Sequence, residues 1–278
     1  MTTTAESGTT KAAAPPGVFA TLRQTPLSVR YLLGGVLINQ MGAFVQTFLV
    51  LYLTARGLSV GHAGLALTAY SVGAVLGTIL GGELVQRFGP RATITGAMAT
   101  AAVILVLIPT LSGAGRFPLL LVAVALAGLA AQGYRPAASV LLSDLIPDEH
   151  RVMGFAMMRI ALNGGAALSP LIAAGLILLD WDLLFYLDAA TALAYALLAL
   201  TLLPKVAAPA EEEADEPGPR GGYGTILRDR RYLAFLVSVL LGSVIYVQYT
   251  VALPLKISAE GHPTALYSTV LTASSVIL

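Results

Sequence analysis

Inside long apolar runs, a few side chains can hydrogen-bond, ionise or carry a proton. Asn39 and Gln46 share a helical face with Ala43 in INQMGAFVQ. Gln132 and Arg135 lie on one stripe with Gly128 and Ser139, and Tyr246, Gln248 and Tyr249 cluster in IYVQYT. Two carboxylates, Glu83 and Asp188, also fall within helical segments. In hydrocarbon such groups are costly, so they face a bundle interior or a water-filled path. Amides and phenols there can hold a polar solute, and a carboxylate can take up and release a proton. Their distribution over three segments suggests a shared polar cavity, which a purely structural bundle would not need.

Bond-breaking chemistry has no comparable set. His62, His150 and His262 are scattered without ligand spacing, so no metal site is expected. The chain has no cysteine and none of the usual nucleophile or zinc-protease motifs. GAVLGTILGG sits in an apolar helix without a preceding strand, which excludes a dinucleotide loop. No catalytic residue and no cofactor is expected, and no nucleic-acid partner. Three charged residues stay ambiguous. Arg135 either snorkels to headgroups or contacts an anion or a buried carboxylate, and Arg159 poses the same choice. Asp188 reads as an interfacial residue or a proton carrier.

The elements that must position these residues are membrane helices. A soluble domain carries about 25% charged residues; here the share is 11%, with 56% hydrophobic residues and mean hydropathy +0.80. Apolar segments of spanning length fall at 31–53, 62–86, 92–112, 117–145, 153–179, 183–204 and 232–256. The expected class is an all-α integral membrane protein whose partner is the lipid bilayer. Residues 1–30 read as a disordered tail, 31–204 as a six-helix bundle, 205–231 as a charged linker, and 232–278 as the start of a second bundle. The last run, ALYSTVLTASSVIL, is too short to span, so the chain is expected to be C-terminally truncated. Lys11, Arg23, Arg30, Arg87, Arg91, Arg151, Lys205, Arg220, Arg228, Arg230 and Arg231 fall on one side, against Arg56, Arg116 and Lys256 on the other. That bias predicts a multi-pass cell-membrane protein with a cytoplasmic N-terminus and linker.

Small residues repeat at four-residue spacing in two segments, Gly73, Gly77 and Gly81, then Ala161, Gly165, Ser169 and Ala173. Such stripes let helix backbones approach closely in lipid. They serve static packing or a seam along which helices move.

One charged turn interrupts this pattern, GGELVQRFGPR at 81–91. It resembles the loop between the second and third helices of the major facilitator superfamily, of form G-x-L-x-D-R-x-G-R-R. Gly82, Leu84, Arg87, Gly89 and Arg91 match, while Gln86 and Pro90 replace the usual Asp and basic residue. Pro136, Asp144, Pro147, Glu149 and Arg151 match a further region of the drug:proton antiporter-like, multidrug efflux branch. Gly165, Ser169, Pro170, Ala173 and Ala174 stand where its antiporters carry G-x-x-x-G-P-x-x-G-G, and Leu129 stands where an Arg is usual.

The resemblance implies a six-helix N-terminal bundle plus the first helix or two of a C-terminal bundle, rocking about a midplane site by alternating access. It implies a secondary active transporter, a proton-coupled exporter of drug-like or metabolic small molecules, not an enzyme. Asn39, Gln46, Gln132, Arg135, Tyr246 and Tyr249 are the expected substrate cavity, and Asp188 and Glu83 the proton-coupling candidates. Gly82, Gln86, Arg87, Gly89 and Arg91 would form a conformational-switch loop. Import of a sugar, peptide or organic anion is an alternative, as is a truncated, non-transporting membrane protein. In the family the Asp at the Gln86 position helps latch the outward-facing state, so Gln86 implies a weaker latch. Gln86→Asp in a full-length version is expected to shift the inward/outward balance outward, read by accessibility labelling; an unchanged balance refutes the weak latch.

Overall fold

The computed structural model describes residues 25–113, 115–206 and 228–259, with side chains as far as 244. The described residues are helical apart from turns and short connections. In chain order the helices are α1 (Leu27–Met41), α2 (Val45–Ala55), α3 (Val60–Phe88), α4 (Pro90–Leu111), α5 (Phe117–Leu145), α6 (Arg151–Ile177), α7 (Leu183–Leu202) and α8 (Arg230–Ala259). Counting α1 and α2 as one crossing, residues 27–206 hold six segments long and apolar enough to span a membrane. α3 and α5 each have 29 residues, about 43 Å at 1.5 Å per residue, longer than the ~30 Å hydrocarbon layer.

Local sequence sets the ends. Ser59 Oγ accepts the His62 amide hydrogen at 3.2 Å and opens α3. Gly89, at φ +79°, is both the last cap of α3 and the residue before α4, with Pro90 at the first helical position. α5 stops at Ile146, held extended by Pro147. Before α8, Asp229 Oδ1 accepts the amides of Arg231 at 2.9 Å and Tyr232 at 3.3 Å. The expected continuous first span differs: it breaks between Met41 and Val45, where Gly42 and Ala43 interrupt the helix.

The chain divides between Ala210 and Glu211 into two units. In the first, glycines set the helix contacts. Gly73, Gly77 and Gly81 are buried on α3, and a Cβ on any of them would run into the backbone of Ala125, Leu129 or Gly133 of α5. In return, Gly128 of α5 faces the Tyr70 carbonyl. α1 meets α6 at Gly165, where a Cβ would sit 2.7 Å from the Gln40 Cβ and 3.0 Å from the Leu37 carbonyl oxygen. α1 meets α7 where Gly35 faces the Tyr195 ring and Gly42 faces Thr191. α4 packs between α5 and α7. Outward-facing side chains such as Val75 and Leu171 are exposed and apolar, the pattern lipid requires. In the second unit α8 is the described element.

Gly77→Val should therefore force α3 off α5 and destabilise the bundle by about 2 kcal/mol or more. Gly64→Ala, on the same helix with nothing within 4 Å of the new Cβ, should be tolerated. Thermal unfolding in detergent compares the two; equal melting temperatures refute the close α3–α5 contact.

Candidate functional site: a carboxylate at a broken helix

A break inside a spanning helix leaves amides without partners, and the bilayer has no water to supply them. Here α7 supplies an acceptor. Asp188 Oδ2 accepts the amide hydrogens of Phe44 at 3.2 Å and Val45 at 3.4 Å. The Phe44 amide is shared with the Gly42 carbonyl at 2.8 Å. Asp188 thus caps α2 from a neighbouring helix, and its side chain is buried. Gly42 makes the approach possible, since a Cβ there would strike Thr191, one turn along α7. The sequence places Asp188 near a helix end, and there, in the second turn of α7, it meets the break.

The same carboxylate borders a cavity of about 90 Å³ between α1, α2, α3, α4, α5 and α7. Asn39, Gln46, Gln132 and Arg135 line it, together with Gln40, Thr47, Tyr70 and Tyr134. Asn39 is buried, whereas Gln46 and Arg135 are exposed. The Tyr134 hydroxyl is buried beside Asn39 and Arg135. Ion pairs among the described residues are Arg56–Asp182, Arg87–Glu83 and Arg151–Asp148. Asp188 and Arg135 therefore share a cavity without pairing. Tyr246 and Tyr249 fall on α8, but their side chains lie outside the described residues.

The remaining sites lie elsewhere. Glu83 is exposed near the end of α3 and pairs with Arg87 at 2.8 Å, away from the cavity. Gln86 is exposed beside them, and Arg91 donates to the Leu200 carbonyl at the end of α7. Gly82 is half-buried with nothing near its missing side chain. On α6, Gly165, Ser169 and Ala173 are buried, while Pro170 and Ala174 are exposed. Arg159 is exposed on the same helix.

Sequence reasoning missed a network at the opposite end of the bundle. Tyr52 donates to Asp182 Oδ1 at 2.8 Å and lies 3.1 Å from Ser112 Oγ. Arg56 pairs with Asp182, which raises its already high pKa, and its guanidinium lies 5.4 Å from the Tyr52 ring centroid. This ties together the ends of α2 and α4 and the turn before α7. The only sequence signal was that these residues fall at helix ends on one predicted side.

Comparisons with known proteins agree with this architecture. The sequence profile of the Major Facilitator Superfamily matches residues 32–278. A Na(+), Li(+), K(+)/H(+) antiporter of Planococcus maritimus is 30% identical over 244 residues, covering 82% of this chain and 56% of its own length. An uncharacterized MFS-type transporter of Bacillus subtilis, YqjV, is 25% identical over 273 residues, covering 91% and 62%. The chain thus spans little more than half the length of these relatives. The crystal structure of the peptide transporter POT in complex with sulfate superposes with a TM-score of 0.54 at 20% identity, covering 92% of this chain and 53% of that one. A mutant of the same transporter also scores 0.54, at 21% identity, with 83% and 50% covered. With the profile covering nearly all of the helical sequence and the helices folding as those structures do, the chain belongs to the major facilitator superfamily, a family of membrane transporters and not of enzymes.

Proposed function

We propose that this chain forms part of an alternating-access antiporter in which Asp188 binds the proton and a small cation in turn. The carrying observation is a buried carboxylate that caps the broken first span and borders a polar cavity. Ionised, Asp188 is the stronger acceptor for the Phe44 and Val45 amides. Protonated, it holds them more weakly, so proton uptake loosens the break. A cation taking the proton's place keeps the carboxylate ionised, so the two compete for one group. That competition is what exchange requires.

Cavity size favours a small solute. About 90 Å³ admits roughly three waters, far below the ~300–1,000 Å³ of drug-sized pockets. The Planococcus maritimus relative, a cation/proton antiporter by name, supports the same reading. Efflux of a drug-like molecule or organic anion is the second reading. It is favoured by Arg135, which is exposed, borders the cavity and forms no ion pair among the described residues. In either case residues 31–204 act as the N-terminal bundle, 205–231 as a cytoplasmic linker and 232–278 as the start of the partner bundle. The Lys/Arg bias supports a cytoplasmic N-terminus.

Two substitutions separate coupling from capping. In inverted membrane vesicles, adding Na⁺, Li⁺ or K⁺ should dissipate an imposed proton gradient with the wild type and not with Asp188→Asn. Exchange by Asp188→Asn at the wild-type rate overturns the assignment. Asp188→Ala should in addition lower stability by about 1–3 kcal/mol, the cost of unsatisfied buried amides, with Asp188→Asn retaining part of it. Thermal unfolding in detergent reads that difference.

A further inference from the structure

At the end of the bundle that holds Arg87 and Arg91, two cavities run into each other. The outer one, about 750 Å³, lies between α3, α4 and the end of α7, bordered by Arg87, Arg91, Thr95 and Lys205. The inner one, about 300 Å³, runs between α3, α4 and α5 and is almost wholly apolar, with Gly77, Gly81 and Gly96 along it. Phe88, Ala92 and Gly96 border both. A basic mouth therefore leads into an oily slot along helices of membrane-spanning length.

The mouth is cationic and under-used. Glu83 offsets Arg87, leaving Arg91 and Lys205 without an ion pair among the described residues. Arg91 donates one guanidinium nitrogen to the Leu200 carbonyl, which fixes it at the mouth with other donors left over. The N-terminus of α4 opens here too, its dipole favouring negative charge. Thr95 Oγ1 is buried with no hydrogen-bond partner among the described residues, although Thr93 back-bonds to the Gly89 carbonyl at 2.9 Å. Along the slot, a Cβ at Gly96 would meet nothing within 4 Å, so the glycine marks open space and not close packing.

We propose that this is a binding site for one anionic phospholipid, its phosphate at Arg91 and Lys205 and an acyl chain in the slot between α3 and α4. A soluble anion matches the mouth but leaves the slot empty, and a neutral apolar molecule matches the slot but not the mouth. A zwitterionic lipid brings an ammonium group toward two cations. A negatively charged amphiphile satisfies both parts at once, and the surrounding membrane supplies it. This inference is independent of the role given to Asp188.

The test uses the full chain purified in a maltoside detergent, with phosphatidylglycerol, phosphatidylcholine or inorganic phosphate added. Phosphatidylglycerol should raise the melting temperature about 4 °C more than phosphatidylcholine does, and phosphate alone should not reproduce that rise. Native mass spectrometry should find phosphatidylglycerol retained roughly fivefold less by Lys205→Gln, which removes one cation from the headgroup. Gly96→Leu, which fills the slot, should lower retention as well. Equal stabilisation by both lipids, or by phosphate alone, overturns the proposal. So does unchanged retention in Lys205→Gln or in folded Gly96→Leu.

Discussion

A bilayer offers no water to a broken helix, so every amide freed by a break must find an acceptor in the protein. The rest of this bundle is arranged around meeting that demand at Phe44 and Val45. Asp188 can reach the break because α7 lies close against α1, and α7 lies close because Gly35 and Gly42 present no side chain to Tyr195 and Thr191. One set of glycines thus brings a buried carboxylate to the break, and the amides it caps offset part of the cost of burying it. Packing and ionisable chemistry are the same fact seen from two helices.

The glycine contacts also divide the first unit into layers of different tightness. Between α3 and α5 the approach is backbone to backbone over three successive turns, from Gly73 to Gly81. Between α3 and α4, by contrast, an open groove of about 300 Å³ runs past Gly77, Phe88 and Gly96. Close contact on one side of α3 and open space on the other follow from where the small residues face. On α5 they meet partner backbone, whereas Gly96 on α4 meets nothing.

Much of this architecture was legible in the sequence because lipid imposes a simple rule. Long apolar runs separated by charged turns gave the six crossings, and Gly89–Pro90 gave the tight reversal. The four-residue glycine spacing marked the face of α3 that packs on α5. The break at Gly42 was not legible, since MGAF differs little from the helical sequence around it and its acceptor is 144 residues away. For the same reason the capping contacts of Asp188 were not legible, although its place near the start of a helix was. Asn39, Gln46, Gln132 and Arg135, which line one cavity, stood out because polarity inside an apolar run is visible one residue at a time. The Tyr52–Ser112–Asp182–Arg56 network was not, because it joins chain segments 60 to 130 residues apart.

The joint between α3 and α4 is a single residue, Gly89, held at φ +79° with proline immediately after it. A joint this short has no slack. It ties the end of the 29-residue α3 directly to the start of α4, and Arg91 ties that start to the last turn of α7. Three helix ends are consequently held together around one charged turn, with a single glycine as the hinge between two of them.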